Sequence, residues 1–196
     1  MPTTWTGSAG RPARRRSPVH ARLSVSRDEK AALELIGAYY GSVKYARAVL
    51  ERWPRSWALV LSVDGRAVAA EVFYAVRLAV TACVHYYAVV APEHRGRGLG
   101  RLLVTLAERE CGAGIYLATT REDNAPAMRL FEGLGYRPYR WEGLPRAARD
   151  ALLRATCGYD DDILYVKGGD PRVIAAVTGE VARLWRETCL KPYLGA

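Results

Sequence analysis

The residues whose types and spacing most clearly imply chemistry are an arginine–glycine run, Arg95-Gly96-Arg97-Gly98-Leu99-Gly100-Arg101. It follows the apolar, β-rich segment Val84 to Ala91 and precedes a leucine-rich segment with helical periodicity, so it reads as the loop of a strand–loop–helix unit. Glycines at the entrance to a helix let the backbone approach a ligand closely, and the first N–H groups of the helix have no partner within it. Amides left in that state bind anions, phosphate most commonly. Two known phosphate loops are excluded by position. A dinucleotide fingerprint needs G-x-G-x-x-G, and its sixth position falls on Arg101 counted from Gly96 and on Leu103 counted from Gly98. A P-loop needs Lys followed by Ser or Thr at the helix start, where this chain has Arg101 and Leu102.

The pattern that fits is R-x-x-G-x-G, with Arg95, Gly98 and Gly100 in place. A second segment, Asn124-Ala125-Pro126-Ala127-Met128-Arg129-Leu130-Phe131-Glu132-Gly133-Leu134-Gly135-Tyr136, reads as a helix closed by a glycine C-cap and running into a strand. Both motifs, in this order and with a strand at Ile115 to Thr119 between them, resemble the GNAT superfamily of acyl-CoA-dependent N-acyltransferases, whose second motif runs N-x-x-A-x-x-L-Y-E-x-L-G-F. The resemblance implies an α/β GNAT fold, a mixed and mostly antiparallel sheet flanked by helices, with acetyl-CoA as co-substrate. It implies that the strand Ala88-Val89-Val90 splays from its neighbour and offers backbone groups to the pantetheine and the thioester oxygen. It places the pyrophosphate on the loop Arg95, Gly96, Arg97, Gly98, Leu99, Gly100 and Arg101, with Arg95 and Arg97 adding charge. Asn124 and Phe131 fall at cofactor-facing positions. Phe131 stands where the family usually has tyrosine as general acid or sulfur contact, so the departing thiolate has no phenol there. A thiol is acidic enough to leave without much help near pH 8.

Acetyl transfer to an amine needs a group to remove a proton from the amine. In several family branches a Glu or His on the strand before the loop serves, and here that strand offers His85 and Tyr86 as catalytic candidates. A β-bulge would turn His85 inward, and histidine has a suitable unperturbed pKa. Glu71, mid-strand among apolar residues, is a second candidate. The acidic run Asp160-Asp161-Asp162 beside Tyr159 stands out in a basic chain as a means of attracting a cationic amine. Nothing resembles a Ser/His/Asp nucleophile system. Cys83, Cys111, Cys157 and Cys189 lack C-x-x-C spacing and argue against a metal site. They read as buried thiols in a mesophile, or as one disulfide in a hyperthermophile.

The elements that must position these residues follow in chain order. Ala21 to Val25 reads as a first strand, and Ser26 with Glu29 as a capping box opening a helix. Gly37 and Gly41 break the pattern, which resumes over Ser42 to Arg52, giving two helices or one kinked one. Tyr39, Tyr40 and Tyr45 then lie either in the core or along the acceptor cleft. Strands at 57–63 and 66–76 flank Asp64-Gly65, a tight hairpin turn, and a strand at 83–90 completes an antiparallel meander. Between Glu142 and Gly158 a helical run, PRAARDALLRATC, reads as an insertion bordering the acceptor side, and ILYVK supplies the last strand. Asp170-Pro171 opens a final helix whose stripe of Val173, Val177, Val181, Leu184 and Trp185 packs on the body or on another subunit, as in a homodimer.

At 196 residues, half of them hydrophobic, the chain supports one well-buried core. No apolar run approaches the roughly 20 residues of a membrane span. The arginine-rich start lacks the apolar segment of a secretory signal, so a soluble, cytoplasmic protein is expected. The net charge of +9 is uneven: residues 1–27 hold six arginines and no acid. The expected organisation is a flexible basic arm over 1–20, an acetyltransferase domain over 21–169 and a C-terminal helix over 170–196. The arm is either a solubilising tail or a contact to RNA or the ribosome. The chain has no Gln, one Asn and arginine over lysine by 25 to 4, a pattern that favours a thermophilic source, although codon bias also enriches arginine. The expected function is amine N-acetylation, with a protein N-terminus or lysine as acceptor and a small amine next. The competing reading is a catalytically weak binding module of the same fold, recruited to RNA or ribosomes by its arm.

Overall fold

A computed structural model describes residues 22–195. The basic arm and its proposed RNA contact lie outside these residues. Seven strands form one sheet in the order β1-β2-β3-β4-β5-β7-β6: β1 Leu23–Ser26, β2 Ser56–Val63, β3 Arg66–Arg77, β4 Thr81–Val90, β5 Ile115–Thr120, β6 Arg137–Arg140 and β7 Ile163–Lys167. All neighbours are antiparallel except β4 and β5. The β2–β3 turn is built by Asp64 and Gly65, whose φ of 51° and 80° are the positive values of a two-residue hairpin.

Alternation along β3 sorts the core into two layers. Ala70, Val72, Tyr74 and Val76 face one side with Ile36, Val49, Leu117, Leu152 and Leu184. That layer is covered by α1 (Glu29–Tyr40), α2 (Lys44–Arg52) and α5 (Arg146–Thr156). Ala69 and Phe73 face the other side with Leu103 and Ala107 of α3 (Leu99–Cys111), beside a cluster that includes Phe131 of α4 (Ala125–Gly133).

Several local features differ from expectation or decide between alternatives. Ser26 ends β1 rather than capping a helix; the cap is Asp28, whose carboxylate accepts from Ala31 N–H. Helix α1 runs through Gly37 and stops at Gly41, φ 73°, so there are two helices rather than one kinked helix. The insertion helix α5 buries Ala148, Ala151, Leu152 and Ala155, the i, i+3, i+4, i+7 stripe of a core helix. The expected single C-terminal helix is broken into α6 (Pro171–Ile174), α7 (Gly179–Leu184), a π-helical turn over Trp185–Leu190 and α8 (Lys191–Leu194). Ala175 leaves helical geometry and Thr178 caps a fresh start by accepting from Val181 N–H, so Val173 and Val177 are exposed while Val181 and Leu184 are buried. All four cysteines are paired, Cys83 with Cys111 and Cys157 with Cys189, in place of buried thiols or one bridge. No group of ligating residues among those described would hold a metal, and no described helix is long and apolar enough to cross a membrane.

Candidate active site

The parallel pairing of β4 with β5 runs only from Ala82↔Ile115 to His85↔Ala118, while β4 continues to Val90 against β3. The strands therefore splay beyond His85. Ala91 N–H donates to Val68 O on β3, so the alternation of an antiparallel ladder turns the backbone groups of Val90 and Ala88 towards the open side. Their carbonyls accept from Arg95 Nε at 3.0 Å and from the Tyr40 hydroxyl at 3.0 Å. Val89 is buried between them.

A short 3-10 turn at Pro92–His94 leads from β4 into the arginine–glycine loop. Gly96 and Gly98 hold φ of 73° and 78°, with no atom within 4 Å of where a Cβ would stand. Glycine is required there by backbone angle rather than by crowding. Gly98 caps α3, whose first helical bond is Leu102 N–H to Gly98 O, so the amides ahead of Leu102 have no partner inside the helix. Arg97 donates to Glu93 O, and among the described residues neither Arg95 nor Arg97 forms an ion pair with a carboxylate. Amides without a helical partner and guanidiniums without a carboxylate partner fit a pyrophosphate. Arg101 differs, because its guanidinium lies against Gly133 at the C-terminal end of α4; Leu99 packs partly on the α3 layer and Gly100 faces Leu130 and Val90.

Behind the splay, on the α1/α5 side, lies a cavity of about 920 Å³. Tyr40 and Tyr45 of α1 and α2, Tyr86 and Tyr87 of β4, Thr119 of β5, Asp160 and Asp161 before β7, and Trp185 and Tyr193 of the C-terminal segment line it. Tyr87 meets Tyr40 and Tyr86 edge-on at 5.1 and 4.9 Å. Tyr40 and Tyr45 thus border the cleft, whereas Tyr39 points elsewhere and is exposed. Asn124 also borders it and caps α4, its side chain accepting from Ala127 N–H.

The bulge expected in β4 is present, with a different consequence. Val72 pairs with Tyr87 and Phe73 with His85, so Tyr86 is the extra residue. Tyr86 and Tyr87 both come to the cavity side, and His85 remains on the opposite face. There His85 is 5% exposed, its Nδ1 bonded to Glu71 and its Nε2 2.8 Å from the Tyr136 hydroxyl. Tyr136 donates to Glu108, which accepts from Lys167 Nζ. His85 and Glu71 are thus members of a core polar chain and do not line the cavity. Phe131 is likewise 5% exposed, packed with Tyr136 and Tyr165 rather than facing the cavity. Tyr86 does line it, and burial, with smaller contributions from Tyr74, Tyr87, Tyr45 and Asp161, pushes its phenol well above the ordinary value. A phenol so placed favours its protonated form, which can donate a hydrogen bond.

A model of the GNAT acetyltransferase family matches residues 27–136, more than half the chain. The chain belongs to the GNAT acetyltransferase family, acyl-CoA-dependent N-acetyltransferases with CoA thioesters as co-substrates. No curated protein matches this GNAT chain. Among solved structures it is similar to the ribosomal-protein-S18-alanine N-acetyltransferase of Escherichia coli, 19% identical with a TM-score of 0.50 over 81% of this chain and 97% of that one. A putative GNAT acetyltransferase of Desulfovibrio desulfuricans gives 15% and 0.56 over 75% and 99%. Aminoglycoside N-acetyltransferase AAC(6')-Iy, in complex with CoA, gives 16% and 0.53 over 62% and 92%. At these identities the likeness carries the fold and leaves the acceptor open.

Proposed function

We propose that this chain transfers the acetyl group of acetyl-CoA to a primary amine, the terminal amine of a protein or a lysine side chain first and a small amine next. The observation that carries this reading is that the anion-suited loop follows directly on β4, the strand whose pairing with β5 ends at His85 and whose Tyr86 and Tyr87 line an aromatic, carboxylate-bearing cavity. Acetyl-CoA supplies an activated acyl group. The chain's own part is to hold the diphosphate on the amides of residues 96–101 and the charges of Arg95 and Arg97. The open edge at Ala88 and Val90 orients the acyl arm, and the cavity receives the amine. Tyr86, retaining its proton, donates a hydrogen bond to negative charge developing there. A cavity of about 920 Å³ falls within the roughly 300–1,000 Å³ of small-ligand sites, room for one amine-bearing side chain or a small molecule.

Thiol release from acetyl-CoA, followed over a panel of N-terminal peptides, lysine peptides and polyamines, tests the reading. Amine-dependent release is expected, and a rate that no panel member raises above the amine-free rate overturns it. We propose separately that the arginines of the arm over residues 1–20 contact RNA. RNA retention should then fall steeply with salt and on replacing Arg14 to Arg16 by alanine.

A further inference from the structure

Among the carboxylates that line the cavity, that of Asp161 is held in a fixed position and forms no ion pair with a described residue. Asp161 is anchored through its backbone: its carbonyl accepts from Trp141 Nε1 at 2.9 Å, its N–H donates to Gly158 O, and the next residue's N–H donates to Thr120 O. Its side chain accepts from the Thr119 hydroxyl on β5. That hydroxyl is brought there by a close approach, since a Cβ on Gly158 would stand 2.8 Å from the Thr119 methyl. Among the described residues no lysine or arginine forms an ion pair with Asp161, although the chain carries 29 of them. The neighbouring Asp123 is by contrast paired with Arg121, and Asp162 is occupied by Glu122 N–H.

We propose that Asp161, held by Thr119, receives the ammonium group of the acceptor amine and takes its proton. The proposal rests on the acetyl-transfer reading. His85 and Glu71 lie on the far face of the sheet from the cavity, and burial of Tyr86 favours its protonated form. The groups facing Asp161 are the phenols of Tyr40, Tyr86 and Tyr87 from α1 and β4, Arg121 after β5, and Asp160 and Asp162 beside it. Burial, with the two aspartates adding, holds the Asp161 carboxyl above the usual carboxylate range, against the Thr119 hydrogen bond and the Arg121 charge. That direction makes it a better base than a solvated carboxylate.

The step balances as follows. The ammonium gives one proton to the Asp161 carboxylate, and the freed nitrogen lone pair forms the C–N bond at the thioester carbonyl carbon. The C–S bond breaks with its electron pair leaving on sulfur. The second amine proton leaves with sulfur as the thiol, and the Asp161 proton passes to water, one proton released per acetyl group transferred. The aromatic walls suit the rest of a cationic acceptor, since tyrosine faces attract ammonium groups.

Calorimetry with phenethylammonium and its uncharged counterpart 2-phenylethanol tests the proposal. The ammonium should bind at least tenfold tighter than the alcohol. D161N should remove that advantage while leaving alcohol and CoA affinity unchanged, and T119V should raise the Asp161 titration point seen by carboxyl carbon NMR. For an amine that turns over, the acid limb of kcat/KM should disappear in D161N. Equal binding of the two probes, or an ammonium preference that survives D161N, overturns the ammonium site. An unchanged acid limb in D161N overturns the proton transfer. Absence of heat with CoA is a separate result, which counts against the acetyl-transfer reading and not against ammonium binding.

Discussion

His85→Leu separates a structural histidine from a catalytic one. Glu71 and His85 are 0% and 5% exposed and are bonded to each other, and Glu71 Oε2 already has no partner. Removing the imidazole leaves the whole carboxyl group buried without a donor. Breaking a buried pair from one side costs about 3–5 kcal/mol. At this chain length each kcal/mol shifts Tm by roughly 2–4 °C, so a fall of roughly 6–20 °C is expected. The double variant His85→Leu/Glu71→Leu should recover much of that loss, because it removes both partners and fills the space with apolar atoms. Thermal unfolding followed by circular dichroism reads both, and CoA calorimetry at low temperature should be unchanged. A single variant melting within 2 °C of the parent, or a loss of turnover beyond about tenfold (~1.4 kcal/mol of barrier) at an unchanged Tm, would refute the structural assignment.

Other consequences are open to direct measurement. Thiol titration of the unreduced, denatured protein should find no free cysteine, and each bridge closes a loop, with separations of 28 and 32 residues, that is worth about 3–4 kcal/mol on the chain-entropy account; a Tm unmoved by reductant counts against both. Gly168→Ala should destabilise by more than about 2 kcal/mol in urea, since its φ is 89° and a Cβ would stand 2.0 Å from Gly114 O. Burial pushes Tyr87 and Tyr165 up to about 12. A folded-state pKa above the unfolded value of about 10 gives stability that is full below pH 10 and lost as pH rises through 12. Absorbance titration of the folded protein should therefore leave tyrosines un-ionised at pH 11, and ionisation of all of them near pH 10 without unfolding contradicts the buried arrangement.

The features legible in the sequence are those fixed by a few neighbouring residues. The Asp64-Gly65 turn needs only two positive φ angles, and the loop at Gly96 and Gly98 needs the same freedom beside a helix start. The antiparallel meander of β2, β3 and β4 was legible from its turn, and the splay from what the family resemblance implies, whereas the place of β7 between β5 and β6 was not. What escaped reading depends on partners far along the chain. The face taken by His85 is decided by which residue of β4 is extra against β3, and that residue is Tyr86. The disulfides join segments 28 and 32 residues apart, which spacing alone does not pair. The valine stripe after Pro171 is helical in period, yet Thr178 restarts the chain, a competition between cap and stripe that periodicity does not weigh. Asp161 was readable only as part of an acidic run; its contact with Thr119 exists because β7 inserts between β5 and β6.

Acetyl transfer by this chain requires the loop from Arg95 to Arg101 to bind the diphosphate of CoA, and calorimetry of the purified chain with CoA tests that directly. One molecule of CoA per chain should bind with measurable heat, and Gly98→Glu, which places a carboxylate and a strained φ at the head of α3, should abolish it at an unchanged fold. No heat with the parent protein, or equal heat with Gly98→Glu, would contradict the account.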